Sequence, residues 1–112
     1  MVQYQQQLDR TFAALSDPTR RGILERLGSG SATISELAEP FGISLTGMKK
    51  HVQVLEDAEL VRTEKVGRTR VCSVGPQDLG GVQRWIVGYR LMLDERLDRL
   101  GELLEGTKGQ NR

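Results

Sequence analysis

Two helix-start signals lie 11 residues apart with a helix stop between them, and this spacing constrains the fold more than any other feature. Thr33-Ile-Ser-Glu36 has the form of a capping box, and Ser44 is a good N-cap. Pro40 should weaken or end the first helix, and Gly42 can supply its C-cap. The sequence therefore predicts a short helix, a tight turn and a second helix, which is a helix-turn-helix.

The second helix carries one apolar stripe and one polar side. Its apolar residues recur at helical spacing and predict a buried stripe of Leu45, Met48, Val52 and Leu55. The other side carries Lys49, Lys50 and Gln53. Gly47 sits one turn into this helix, where glycine costs about 1 kcal/mol relative to alanine. Either packing outweighs a defect at Gly47, or the missing side chain is useful.

A β-hairpin is predicted after the second helix. Residues 60–66 and 68–74 are β-branched, alternating segments joined about Gly67, and the tip is basic. A helix-turn-helix followed by such a hairpin is the winged-helix arrangement. In that arrangement the second helix can enter the major groove of DNA, and the hairpin reaches the backbone or the minor groove beside it. The predicted fold is therefore mainly α with a small β-hairpin wing.

The first and last helices carry more apolar residues than one small core could bury. A break at Ser16-Asp-Pro-Thr19 separates the first helix from the next. The last helix runs from about Leu79 to Leu104 with a near-heptad stripe, and a helix of about 39 Å cannot be covered by this core alone. The predicted dimer interface comprises Tyr4, Leu8, Phe12, Ile86, Tyr89, Leu93, Leu97 and Leu100. We expect one domain over residues 1–105 and a flexible tail over 106–112.

Charge is unevenly placed in a chain whose formal net charge is only +1. Basic residues concentrate between Lys49 and Arg70, whereas residues 94–105 are acidic. Any nucleic-acid binding must therefore depend on local charge. Cys72 is the one cysteine, so no intrachain disulfide forms, and neither a signal peptide nor a membrane span is recognisable. We expect a cytoplasmic protein.

Several ordered motifs together resemble the arsenic-repressor (ArsR-like) family of bacterial winged-helix regulators. They are LSDPTRRGILERL (15–27), ISELAEPFGIS (34–44), KKHVQVLEDAELV (49–61) and GRTRV (67–71). The resemblance implies a homodimer held by its first and last helices, which binds an inverted-repeat operator and usually represses transcription. It also implies the residues near DNA, and with the exposed helix positions the candidate set is Leu45, Thr46, Gly47, Lys49, Lys50, Gln53, Arg68 and Arg70.

The sequence departs from the metal-binding pattern of that family. Thr33 and Ser35 stand where the best-known metal motif has a Cys-x-Cys pair, and residues 79–104 contain no histidine. His51 and Cys72 are the only soft ligands, too few for a closed zinc site within one protomer. We therefore expect no metal and no cofactor, and the resemblance is closest to the non-metal branch. A small-molecule effector is not identifiable.

Some residues have competing interpretations. His51 is read as a hydrogen-bonded structural residue rather than a DNA contact or pH switch, and Cys72 as a small core residue on the same strand face as Val74. Trp85, Tyr89 and Met92 could line an effector pocket, but core or interface is favoured. The sequence lacks the acid, base and nucleophile motifs of an enzyme. The alternative function is a dimeric winged-helix module that binds protein instead of DNA.

Overall fold

The computed structural model describes the backbone of residues 2–110 and the side chains of residues 4–105. The elements of this part, in chain order, are α1 (Val2–Leu15), α2 (Pro18–Leu27), β1 (Ala32–Thr33), α3 (Ile34–Phe41), α4 (Leu45–Asp57), β2 (Val61–Val66), β3 (Thr69–Val74) and α5 (Gly80–Gln110). They form two compact units, Met1–Gly80 and Gly81–Arg112. The side chains of the predicted tail, residues 106–112, lie outside the described residues, so the tail stays a prediction.

The predicted helix caps are present. The Thr33 hydroxyl accepts the Glu36 N–H at 3.1 Å, and Glu36 Oε1 accepts the Thr33 N–H at 3.0 Å, which completes the capping box. Gly42 ends α3 in the left-handed conformation with φ of 64°, where a side chain would be strained. Ser44 Oγ accepts the Gly47 N–H at 3.0 Å and begins α4. The helix-turn-helix prediction is confirmed.

The core of the first unit is built mainly by α2, α3, α4 and the sheet. Its largest fully buried side chains are Ile23, Leu37, Met48, Leu55, Val61 and Cys72. Helix α1 contributes Ala14 and Thr11, whose hydroxyl donates to the Gln7 carbonyl at 2.9 Å. The α1 residues of the predicted dimer interface do not lie on its core-facing side, because Tyr4 and Phe12 are exposed and Leu8 is only half-buried.

The hairpin that forms the wing belongs to a three-stranded antiparallel sheet with the order β1-β3-β2. The predicted hairpin is confirmed, with Val66 paired to Thr69 across a turn in which Gly67 has φ of 63°. Strand β1 was not predicted from the sequence; it pairs Ala32 with Cys72 and Thr33 with Val71. Cys72 is fully buried as predicted, but Val74 is exposed on the same strand, so the shared face does not continue into the core.

Helix α5 makes up the second unit and has 31 residues. It begins one residue later than the sequence pattern indicates, because Leu79 adopts a left-handed φ of 68° and the Gly80 N–H caps on Asp78 Oδ1 at 2.9 Å. Its apolar residues are largely exposed within the single chain, including Ile86, Leu93 and Leu97. None of the helices in the described part of the chain combines the length and apolarity that crossing a membrane requires.

Two helix-capping carboxylates make the stability of the fold acid-sensitive. The pKa of Asp17 is lowered chiefly because it accepts the Arg20 backbone N–H, and the pKa of Glu36 chiefly because it accepts the Thr33 backbone N–H. A carboxylate with a depressed folded-state pKa stabilises the fold above its unfolded pKa, and this contribution disappears as the pH falls through the folded value. We expect urea unfolding at fixed protein concentration to show a free energy that decreases between about pH 5 and pH 3.

The matched variants are Asp17→Asn and Glu36→Gln, which keep an acceptor but cannot titrate. Each should flatten part of the pH dependence while changing stability little at pH 7, since asparagine is also a good N-cap. An unchanged pH profile in the Asp17→Asn, Glu36→Gln double variant would contradict this assignment.

Candidate nucleic-acid interface

Helix α4 presents a polar face away from the core. Its buried side chains are Met48, Val52 and Leu55, and they define the inward direction of the helix. With about 100° of rotation per residue, Thr46, Lys50 and Gln53 lie within about 45° of the opposite, outward direction. Lys49 is also exposed and lies on the flank toward the hairpin, where it lines a groove.

Leu45 differs from its predicted place in the buried stripe. Its side chain is 50% exposed, although it lies at the correct helical spacing from Met48. It occupies the first position of α4, where the stripe has passed the end of the core. The expectation that Leu45 is buried is therefore wrong, whereas its accessibility agrees with the predicted place of Leu45 near DNA.

Gly47 is half-buried at the third position of α4, on the flank opposite the hairpin. A Cβ added there would stand 3.2 Å from Ser44 Oγ. Apart from the two adjoining residues and the helix backbone, no other heavy atom of the described residues would lie within 4 Å of it. The capping hydroxyl would have to move by a few tenths of an ångström to admit it. Space for a methyl group is therefore tight but available on the protein side.

We expect Gly47→Ala to raise the free energy of unfolding by less than about 1 kcal/mol and to weaken operator binding. Alanine favours the helix, but under the close-approach hypothesis the added methyl would separate the helix backbone from DNA. Gly88→Ala in α5 is the matched control, since a Cβ at Gly88 meets no atom within 4 Å of the described structure. Unchanged operator affinity in Gly47→Ala, measured by anisotropy beside a melting curve, would make Gly47 only a tolerated helix defect.

The four cations of the hairpin lie in three places: the turn and the two faces of the strands. Arg68 lies in the turn, and Lys65 and Arg70 pair across the two strands on the face that Thr63 shares. Arg62 has the opposite strand parity and pairs with Ser73. Within the described residues, Lys49, Lys50 and Arg68 form no hydrogen bond or ion pair with other side chains. These three cations are thus available to a ligand.

A groove of about 590 Å³ separates α4 from the hairpin. Ile34, Leu45 and Val52 supply apolar lining. Four cations and one carboxylate also line the groove: Lys49, Lys65, Arg68, Arg70 and Glu56. The excess of positive charge favours an anionic ligand, and phosphate oxygens are the anions that nucleic acid presents to lysine and arginine.

A hydrogen-bond chain that no pattern in the sequence predicts joins the hairpin to α4. Arg70 donates to Thr63 Oγ1 at 2.9 Å, and the Thr63 hydroxyl donates to Glu56 Oε2 at 2.7 Å. One donor of Arg70 is therefore occupied, although the guanidinium has five N–H donors in total. The bond from Thr63 to Glu56 thus joins the hairpin to α4, and the predicted DNA contact Arg70 supports Thr63 from the neighbouring strand.

The opposite flank of α4 is attached to the corner between α1 and α2. Arg20 donates to the Ala13 and Ala14 carbonyls at 2.9 and 2.8 Å, and its guanidinium lies 3.3 Å from His51 Nδ1. Asp17 Oδ2 is 3.9 Å from the same ring nitrogen. These contacts agree with the interpretation of His51 as a hydrogen-bonded structural residue, and through them Arg20 links α4 to the corner between α1 and α2.

The residues predicted to form the dimer interface are largely exposed to solvent, both on α1 in the first unit and on α5 in the second. On α1, Tyr4 is 45% and Phe12 is 38% exposed. On α5 the exposed candidates are Ile86, Tyr89, Leu93, Leu97 and Leu100. The rings of Trp85 and Tyr89 stack with their centroids 5.5 Å apart, along the same side of α5. Participation of these side chains in an interface stays a prediction.

Comparison with known proteins identifies the family. A helix-turn-helix domain model matches residues 15–64. The HTH-type transcriptional regulator Rv2034 of Mycobacterium tuberculosis is 34% identical over 80% of this chain and 92% of its own length. The transcriptional repressor SdpR of Bacillus subtilis is 32% identical over 73% and 91%. An ArsR-like transcriptional regulator from Rhodococcus sp. RHA1 is 31% identical over 95% and 97%, with a TM-score of 0.79.

The chain belongs to the ArsR family. In this ArsR-family chain, Thr33 and Ser35 are the two residues predicted to stand at the positions of the Cys-x-Cys metal motif. The Thr33 hydroxyl caps α3, and Ser35 lines the groove between α4 and the wing. Among the described residues, no three His, Cys, Asp or Glu side chains are grouped so that they could hold a metal ion.

Cys72 is a core residue of this ArsR-family chain. It is fully buried, and loss of solvation raises the pKa of its thiol, with a further increase from nearby Glu56. A thiol with a raised pKa stays protonated at neutral pH, and the protonated form is a poor nucleophile and a poor metal ligand. The environment therefore agrees with a packing role.

Proposed function

We propose that this protein is a transcriptional repressor that binds an inverted-repeat operator as a homodimer in the cytoplasm. Helix α4 would enter the major groove, and the hairpin would contact the adjacent backbone. The observation that carries this proposal is the cationic surface formed by Lys49, Lys50 and Arg68, which project from α4 and the wing without partners among the described residues. Repression is supported by the similarity to SdpR, which is named as a repressor.

The dimeric state is supported by the exposed apolar residues of α5. Leu93, Leu97 and Leu100 are 38%, 65% and 51% exposed, and they recur at the spacing of one helical stripe. A stripe of this length on a single soluble chain marks an interaction surface. A second copy is the partner proposed, because a two-fold symmetric dimer would present two recognition helices to the two halves of an inverted repeat.

Selection from a random duplex library at 0.15 M salt, followed by a gel-shift assay, tests DNA recognition. The wild-type protein should enrich a two-fold symmetric sequence and bind it more tightly than a scrambled duplex of equal composition. The DNA upstream of its own gene should compete in the same assay. A protein-interaction module, the alternative function, would enrich no sequence and leave no footprint.

A further inference from the structure

Leu45 is the more exposed of the two apolar side chains that α4 leaves on its surface, the other being Val54. Exposed leucines are ordinary on protein surfaces, so exposure alone has no functional meaning. Leu45, however, is 50% exposed at the first position of the helix that would meet the base edges, with the polar Thr46 next to it. We propose that Leu45 reads a thymine methyl group in each operator half-site, an inference that rests on the proposed function.

The surroundings of Leu45 limit what it could contact. It lines the groove together with Ile34 and Val52, and Lys49 follows one turn later on the same flank. The second exposed apolar side chain of α4, Val54, lies more than two turns away along the helix and is 38% exposed. Ile34 and Val52 are themselves buried, so Leu45 is the one exposed apolar side chain among these three. Its size suits one small apolar group better than a protein surface.

The chemistry of the major groove supplies one such group. Base edges there present hydrogen-bond donors and acceptors, and the C5-methyl of thymine is the apolar exception. A leucine against thymine buries two apolar surfaces. Against another base it would cover a donor or acceptor that it cannot satisfy, which is unfavourable. Leu45 would thus favour thymine for two reasons: the contact buries apolar surface, and it leaves no hydrogen-bonding group of the base unsatisfied.

Two features of the structure hold Leu45 in a defined position. The Ser44 cap fixes the first turn of α4 through the 3.0 Å hydrogen bond to the Gly47 N–H. The chain from Arg70 through Thr63 to Glu56 fixes the wing beside the same helix. Phosphate contacts by Lys49 and Arg68 would then set the register of α4 on the duplex, as backbone contacts do in general.

The test is a thymine-to-deoxyuridine scan of the duplex that the wild-type protein selects from the random library. Deoxyuridine removes only the methyl group and keeps base pairing. One symmetry-related pair of positions should show a loss of affinity of about fourfold when one half-site is changed and about fifteenfold when both are changed. In Leu45→Ala the same changes should alter the affinity by less than about twofold, because the methyl and its contact form one coupled pair.

Two control variants separate this contact from general effects on the helix. Leu45→Met keeps an apolar side chain of similar volume and should keep the deoxyuridine effect. Val54→Ala removes apolar surface elsewhere on α4 and should leave the scan unchanged. If the duplex is selected but every deoxyuridine is tolerated, or if the effect persists in Leu45→Ala, the role of Leu45 is wrong and DNA binding stands. If no duplex is selected, the proposed function itself fails.

Discussion

Leu93→Glu should convert the proposed dimer to monomers and lower the operator affinity by about 10²- to 10⁴-fold, the range over which linking two binding sites raises avidity. The reason is desolvation: Leu93 is already 62% removed from solvent within one chain, being 38% exposed, and a partner helix would remove the rest. An unpaired carboxylate in such an interface is strongly unfavourable. Sedimentation velocity and anisotropy measure the two effects.

Leu91→Glu is the matched control for this experiment. It makes the same chemical change at a side chain that is 63% exposed, and two residues along a helix place it about 160° around the axis from Leu93. We expect Leu91→Glu to remain dimeric and to bind the operator. An intact dimer in Leu93→Glu, with retained fold by circular dichroism, would place the interface elsewhere.

The double variant Lys49→Ala, Arg68→Ala should lose about a thousandfold in operator affinity at 0.15 M salt. A dimer would lose four cations, and each phosphate contact contributes about 0.9 to the slope of log affinity against log salt. Both side chains are exposed and have no partner among the described residues, so the fold should be unaffected. Melting curves check the fold, and anisotropy with the selected duplex measures the loss.

Arg62→Ala is the control for loss of charge alone. Arg62 is an exposed cation of the same hairpin, but its strand parity is opposite to that of Thr63 and it does not line the groove. Its removal should change the affinity much less than either Lys49→Ala or Arg68→Ala. Equal losses from Arg62, Lys49 and Arg68 would mean that net charge, rather than the proposed surface, attracts DNA.

The parts of this fold that the sequence predicts best are those whose causes are local. The capping box at Thr33, the N-cap at Ser44 and the turn at Gly67 depend on side chains within a few residues of the backbone they satisfy. Each such signal is therefore complete in a short window of sequence. This explains why the helix-turn-helix and the hairpin were both predicted near their observed boundaries.

The missed features depend on residues that are distant in sequence or on where the core ends. Strand β1 has only two residues, and its pairing partner is Val71-Cys72, far along the chain. The contact of Arg20 with His51 likewise joins α2 to α4 through two residues that are 31 positions apart in the sequence. The helical spacing of the apolar residues placed Leu45 in the buried stripe. The spacing cannot show that the core extends along α4 only as far as Met48, one turn from Leu45. Packing decides such cases, and a single sequence does not display packing.

A salt titration of operator binding tests the central claim most directly, because the proposed surface acts through phosphate contacts. Lys49, Lys50 and Arg68, together with the remaining donors of Arg70, give about four contacts per protomer, about eight per dimer and a predicted slope of roughly −7 for log affinity against log salt concentration. The measurement is anisotropy with the selected duplex at several concentrations between about 0.1 and 0.4 M, within the range where counterion release governs affinity. We predict a straight line with a slope near −7; a slope near zero with retained binding would contradict recognition of DNA by this cationic surface.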